Sequence, residues 1–275
     1  MSAVGVVGAG RAGLALARAL GVAGHAVYVH GRREHTVPPP LVASWGDTVP
    51  WLAAVDIVLL AVPDAAIAAA ARRLEQVSAK HVVLHLAGPI GIEALAPLRE
   101  SGAALGAFHP LLGLRGLETP PERFRGAIAA LAGDERALAT GRDLATALGI
   151  VAIPVPGPER ARYHAGAVFA ANYLVTLAGA AERLMIQAGL PEGVAREGIA
   201  RLMESSLANV RDAGPSAALT GPIVRGDVGT VERHLEALGD SPEGVLYRAL
   251  GKETLRLASL SPEVRAKIER LMGGE

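Results

Sequence analysis

The chain has 275 residues, with 27 basic and 27 acidic side chains, no cysteine, and 3% aromatic against 51% hydrophobic residues. That length predicts two domains, each long enough to bury a core. Charge balance argues against a nucleic-acid partner, and zero Cys excludes disulfides, thiolate zinc sites, iron–sulfur clusters and cysteine nucleophiles.

Met1-Ser2-Ala3 runs directly into an apolar strand, without the positive segment of a signal peptide. Strands are predicted at Ala3–Val7, Ala26–His30, Ile57–Val62, Val82–Leu86, Ala103–Phe108, Ala127–Leu131 and Ile150–Ile153. The runs at Ile57–Val62 and Val82–Leu86 are nearly continuous in apolar residues, as parallel strands covered on both faces should be. Between the strands, Arg11–Val22, Asp64–Val77 and Glu135–Leu148 read as helices. This alternation predicts an α/β fold with a Rossmann-type, doubly wound parallel sheet.

Pro154-Val155-Pro156-Gly157-Pro158 can continue neither a central strand nor a helix interior. The predicted domains are therefore 1–155 and 156–275, the second all helical. Its helices are expected at Glu159–Ala188, Pro191–Arg211, Val228–Leu238, Pro242–Ser259 and Pro262–Met272; those opening on Pro191, Pro242 and Pro262 use proline where its missing N–H costs nothing. The charge-free stretch Ala165–Ala181 falls short of the roughly 20 residues of a membrane span. It also holds Asn172 and Thr176, so it predicts a buried helix in a soluble, cytoplasmic protein with no membrane partner.

Gly8-Ala9-Gly10-Arg11-Ala12-Gly13 follows a strand and opens a helix. In a G-x-G-x-x-G loop the first glycine makes the tight turn, the second admits a pyrophosphate to the backbone, and the third lets the helix pack closely. The helix N-terminus then offers free N–H groups and partial positive charge to phosphate. The second strand ends His30-Gly31-Arg32-Arg33, with no acid until Glu34. A carboxylate there would favour NAD through the ribose 2′-OH, whereas Arg32 and Arg33 can grip a 2′-phosphate; the expected cofactor is NADP(H). Otherwise the two arginines are solvated loop residues. Ala61, Val62 and Pro63, at the carboxyl end of the third predicted strand, are expected to line the nicotinamide side, with Asp64 an N-cap. His85 and His109 stand at two further strand ends, within reach of substrate or held locally.

Three segments together carry a family resemblance: Phe108-His109-Pro110-Leu111, then Tyr163-His164-Ala165-Gly166-Ala167-Val168-Phe169-Ala170-Ala171-Asn172-Tyr173-Leu174, and Leu219-Thr220-Gly221-Pro222-Ile223-Val224-Arg225-Gly226-Asp227. With the glycine loop, the chain resembles Rossmann-like oxidoreductases whose helical C-terminal half is catalogued as domain of unknown function 2520. That family is similar in architecture to ketopantoate reductase, pyrroline-5-carboxylate reductase and the β-hydroxyacid dehydrogenases. The resemblance implies NADPH-dependent reduction of a small carbonyl or imine, and a helical half that serves substrate closure and homodimerisation. The β-hydroxyacid dehydrogenases and ketopantoate reductases resemble each other in using a lysine four residues before an asparagine on the first interdomain helix. Here that asparagine is Asn172 and the lysine position is Val168; the three lysines, Lys80, Lys252 and Lys267, lie elsewhere.

With lysine missing, His164 is the expected proton donor, since histidine titrates near neutrality. Asn172, eight residues on and about 80° around an α-helix, is expected to hold the substrate carbonyl. Arg225 and Thr220, on a loop shaped by glycine and proline, are candidate substrate contacts, Arg225 being suited to a carboxylate; Asp227 is a helix cap or an Arg225 partner. No metal site is expected: His81 and His85 flank a strand and stand roughly 13 Å apart. The expected function is NADPH-dependent reduction of a small 2-oxo acid or related carbonyl, as in ketopantoate reductase. Imine reduction of the pyrroline-5-carboxylate reductase type and a non-catalytic NADPH sensor are the alternatives.

Overall fold

The computed structural model describes residues 2–34 and 36–273. Eight strands form one sheet in the order β3-β2-β1-β4-β5-β6-β7-β8. They are β1 (Ala3–Val7), β2 (Ala26–Gly31), β3 (Val42–Trp45), β4 (Ile57–Leu60), β5 (Val82–His85), β6 (Ala104–Leu111), β7 (Ile128–Gly133) and β8 (Val151–Pro154). Helices α1 (Arg11–Val22), α2 (Ile67–Arg72) and α3 (Glu135–Leu148) connect them. The order reverses between β1 and β4, the switch point where doubly wound sheets open their ligand crevice.

The continuous apolar runs are explained by cover on both faces. Ile57 and Leu59 of β4 join one buried cluster with Leu16 and Leu20 of α1 and Leu144 of α3, while Val58 and Leu60 join another with Ile67, Leu74 and Leu95. The period of two along each strand divides its side chains between the two layers.

Two features differ from expectation. β3 is absent from the sequence reading, because Val42-Ala43-Ser44-Trp45 is short and half-polar; it pairs with β2 from Tyr28↔Val42 to Gly31↔Trp45. The sheet is mixed rather than wholly parallel, since β6 and β7 run antiparallel from Gly106↔Gly133 to Leu111↔Ile128. Between them lie only short 3-10 turns at Gly116–Glu118 and Pro121–Phe124. Without a crossover helix the chain doubles back. The helix expected over Asp64–Val77 is shorter, a 3-10 turn at Asp64–Ala66 followed by α2. Bonds from Arg73 N–H to the Ala70 carbonyl and from Leu74 N–H to the Ala71 carbonyl then tighten its end.

The chain divides into two compact units, Met1–Asn172 and Tyr173–Glu275. The sheet gives way to helix after Pro154, near the expected boundary, but α4 (Arg160–Val168) belongs with the first unit. The second unit contains α5 (Leu174–Gln187), α6 (Glu192–Ala213), α7 (Pro215–Ala218), α8 (Val228–Leu238), α9 (Pro242–Leu255) and α10 (Pro262–Leu271). Its core gathers Ile223, Val231, Leu255, Ile268 and Met272. Asp227 caps α8 by accepting from Thr230 N–H at 3.0 Å, and Ser241 and Ser261 cap α9 and α10.

The expected buried helix is a correction. Gly157–Gln187 forms 31 continuous helical residues, long and apolar enough to cross a membrane by length and composition, yet only 6% of its most apolar window is buried. Phe169 and Val175 are 69% and 72% exposed. The sequence shows that this stretch is apolar but not what covers it.

Leu59 is fully buried at the middle of the sheet. Leu59→Ala should lower the stability of the first unit by about 2–5 kcal/mol. Both tryptophans, Trp45 and Trp51, lie in that unit, so a urea titration followed by their fluorescence reads the loss; an unchanged midpoint would contradict the packing described.

Candidate active site

The crevice at the switch point has a volume of about 500 Å³. Its floor is Val7-Gly8-Ala9-Gly10; one side is built by His30–Arg33 at the end of β2 and by Gly46, Asp47 and Val49 after β3, the other by Ala61–Pro63 after β4 and residues from Ala66 to Leu74. The glycines have separable reasons. Gly8 has φ +119°, and a Cβ on it would overlap the Ala61 carbonyl. Gly13 is buried, and a Cβ there would overlap the Gly8 carbonyl oxygen, so this glycine seats α1 on the loop. At Gly10, by contrast, a Cβ would meet nothing within 4 Å. No protein atom requires glycine there; the space is kept open beside the uncapped N-terminus of α1, whose first N–H groups have no helical acceptor.

Nine of the expected cofactor residues therefore line one crevice: Gly8, Ala9, Gly10, Gly31, Arg32, Arg33, Ala61, Val62 and Pro63. Arg11 and Ala12 do not line it; they begin α1. Asp64 is not a side-chain cap, since Pro63 holds the N-cap position of the turn that follows.

Two charged residues of the crevice were missed. Asp47 follows β3, and Arg73 lies just past α2; Arg73 Nη1 donates to Asp47 Oδ1 at 3.3 Å. The sequence placed no acid at this end before Glu34; the fold brings in a later one. The loop that carries Asp47 is fixed from below. His30, 4% exposed, donates from Nε2 to the Gly46 carbonyl at 3.1 Å and accepts at Nδ1 from the Ser44 hydroxyl at 2.9 Å, while Trp51 Nε1 donates to that hydroxyl at 3.0 Å. Burial lowers the pKa of His30, which favours this neutral tautomer.

A second constellation lies at the ends of β5 and β6, where α4 presents Arg160, Tyr163 and His164 at i, i+3 and i+4 on one face. Arg160 is fully buried; its Nε donates to the Ile90 carbonyl and its Nη2 to the Ala87 carbonyl, both at 2.7 Å. Tyr163 Oη and His109 Nδ1 are 3.1 Å apart, and the His109 ring stands 5.5 Å from that of His164. His164 rests on Gly88, where a Cβ would overlap its imidazole, and its Nδ1 is buried without a hydrogen-bond partner. Burial is the largest cause that lowers His109 to a pKa of about 4, followed by His164, Arg160 and His85 nearby. Burial raises Tyr163, with Arg160 opposing.

His85 is a correction to the expected substrate contacts. It is fully buried, its Nε2 donates to the Gly91 carbonyl at 2.9 Å, and its Nδ1 accepts from Ala87 N–H at 3.2 Å. Both ring nitrogens shape the turn after β5, leaving none for a ligand. Asn172 lies in a π-helical turn, Phe169–Tyr173, between α4 and α5. The wider turn displaces Asn172 from the α-helical register used to place it on one face with His164, and such turns concentrate at functional sites. Thr220 and Arg225 are exposed on the loop before α8 in the second unit. Among the described residues no group of three or more His, Asp or Glu is placed to hold a metal ion. Arg160 and Tyr163 had a sequence signal, their helical spacing to His164; Asp47 and Arg73, 26 residues apart, had none.

Residues 1–110 match the Rossmann-like domain, and residues 127–254 match the Domain of unknown function (DUF2520). The chain thus carries a Rossmann-like N-terminal domain and a DUF2520 C-terminal domain, the latter beginning at the sheet's last two strands rather than at the first helix. No curated protein matches the sequence. Among solved structures, it is similar to a Bacteroides fragilis protein named as a candidate NADP oxidoreductase, with TM-score 0.74, 21% identity, and 92% of this chain and 97% of that one covered. A Thermotoga maritima protein gives TM-score 0.70 at 24% identity, over 93% and 98%. Pyrroline carboxylate reductase from Plasmodium falciparum, solved with NADP bound, gives 0.62 at 14%, over 99% and 97%. At these identities the likeness is one of fold.

His109 supplies a pH test of the cluster. Its folded pKa lies below the unfolded 6.5, so its contribution is complete above pH 6.5 and is lost as pH falls toward about 4. Urea unfolding at pH 7 and pH 4.5 should show the wild type losing about 2–3 kcal/mol more than His109→Gln. Equal losses would contradict a neutral, half-buried His109.

Proposed function

We propose that this protein is an NADP(H)-dependent oxidoreductase that reduces a small 2-oxo acid or related carbonyl, with ketopantoate the first compound to try. The observation that carries the proposal is the open space at Gly10, beside the free N-terminus of α1 and in one crevice with Arg32 and Arg33. A glycine that no protein contact demands is explained by a ligand that must approach the backbone. The crevice fits a dinucleotide: Gly8–Gly10 would hold the pyrophosphate, Arg32 and Arg33 the 2′-phosphate, and Ala61–Pro63 would flank the nicotinamide. Each arginine–phosphate bond is worth about 1.5–3 kcal/mol, enough to set the preference over NAD. The fold likeness to a reductase solved with NADP bound supports the same cofactor.

The cofactor, when bound, supplies hydride; the chain must orient the acceptor and provide a proton. The α4 face holds the donors. At neutral pH His109 carries no extra proton, so it can donate from Nδ1–H to Tyr163 Oη, leaving the phenol O–H for the substrate oxygen. Burial raises the Tyr163 pKa and so keeps the phenol protonated until substrate takes its proton, while the Arg160 charge opposes that rise. His164 is the other donor on this face, and Asn172 the amide that would polarise the carbonyl.

A homodimer is the proposed cover for the apolar residues of the second unit, where Val175, Val194 and Leu202 are each at least 60% exposed along α5 and α6. A small-molecule substrate, a second copy of the chain and a cytoplasmic setting complete the proposal.

The test follows NADPH absorbance over a panel of 2-oxo acids and cyclic imines, with sedimentation in parallel. Turnover of a 2-oxo acid by a dimer is expected. In the active assay, Tyr163→Phe should lower kcat about 10²-fold or more if the phenol is the donor, and His164→Gln if the imidazole is. Turnover of imines alone would shift the assignment to an imine reductase. Tight NADPH binding with no turnover would indicate a sensor, the reading that the missing lysine favours; no binding would overturn the proposal.

A further inference from the structure

Asp47 is an unexpected neighbour for a phosphate. It is 89% exposed in its side chain, stands in the same crevice as Arg32 and Arg33, and its hydrogen-bonded partner is Arg73, itself 54% exposed. The pair joins the loop after β3 to the end of α2, so it connects two walls of the crevice at the end where β2 stops. Its position is built rather than accidental. The carbonyl of Gly46, one residue earlier, is held by buried His30, and Gly46 has φ +116°, a conformation that side chains rarely adopt. Two roles are open to a carboxylate at this place. It can accept from the ribose hydroxyls of NAD, or it can be a counter-ion that a 2′-phosphate displaces.

Three arginines against one acid among the residues that line the crevice favour the second role. Arg32, Arg33 and Arg73 outnumber the single carboxylate that lines the crevice with them, which leaves positive charge in excess there. An exposed carboxylate–guanidinium pair contributes little in water, so exchanging it is cheap. A phosphate monoester carries a charge of about −1.5 to −2 and three acceptor oxygens, and competes for the same fork of donors with more charge. We propose that Arg73 is a third cation of the 2′-phosphate site, and that Asp47 is its internal counter-ion, which releases Arg73 when the phosphate enters. This rests on the cofactor assignment above and adds its specificity mechanism. Asp47 then opposes the phosphate, setting the affinity for NADPH below what the three arginines alone would give.

The two roles predict opposite outcomes. Calorimetric titrations of the wild type, Arg73→Gln and Asp47→Asn would use NADPH, NADH and adenosine 2′,5′-bisphosphate, which isolates the phosphorylated end. Arg73→Gln should weaken NADPH and the bisphosphate about 10-fold while leaving NADH within about 2-fold. Asp47→Asn should tighten NADPH and the bisphosphate roughly 3–10-fold, again with little change for NADH. Both side chains are exposed, and unchanged melting temperatures would confirm that the variants fold. Equal effects on both dinucleotides, or no effect of Arg73→Gln, would overturn the proposal, as would Asp47→Asn weakening NADH, the signature of a ribose ligand. NADPH binding that Arg73→Gln leaves intact overturns this inference alone. Failure of the wild type to bind either dinucleotide overturns it together with the cofactor assignment.

Discussion

Gly13 can lie against the carbonyl of Gly8 only because it has no Cβ, and Gly8 can turn against the Ala61 backbone only for the same reason. This double backbone contact joins the start of α1 to the ends of β1 and β4, the two strands between which the sheet order reverses. The rest of the site depends on it. With α1 seated this way, its unpaired N–H groups open toward the space beside Gly10, where helix dipole and geometry favour an anion. A larger residue at either contact would separate strand from helix and misplace the surface proposed to receive a pyrophosphate.

Around that elbow, charge is distributed by function. The rim carries exposed arginines answered by few acids, an arrangement suited to a polyanionic ligand. The ends of β5 and β6 are different: a buried guanidinium is tied to two backbone carbonyls without a carboxylate bonded to it, beside histidines held neutral by burial. Burying a charge in this way is expensive, and Arg160 is retained where it fixes the turn after β5 and biases the ionisation of Tyr163 and His109. The Tyr163 phenol and the His164 imidazole are the proposed proton donors on this face.

What the sequence made legible follows the range of the forces involved. Helices α1, α3 and α8 and strand β1 were readable to the residue, because periodicity and capping are local. The glycine loop was readable because strand, turn and helix follow one another in the chain. β3 was not, since Val42–Trp45 becomes a strand only through pairing with β2, and without β3 Asp47 could not be placed in the crevice. The direction of β7 was hidden too, because an apolar run does not encode polarity. His85 shows the opposite failure: a histidine at a strand end looks available, but only the fold reveals that backbone groups occupy both its nitrogens. The apolar stretch beginning at Ala165 was recognised as such, while its exposure is a property of the folded chain.

The central claim is that the backbone between Gly8 and Gly13 receives the pyrophosphate of a dinucleotide. Its most direct test is amide mapping by NMR on the labelled protein as NADPH is added. The account predicts saturable shifts of the Gly8, Gly10, Arg11, Ala12 and Gly13 amides together with those of Arg32 and Arg33. Shifts confined to the separate cavity lined by Arg18, Pro38–Pro40 and Leu117, or no saturable shift at the glycine elbow, would contradict it.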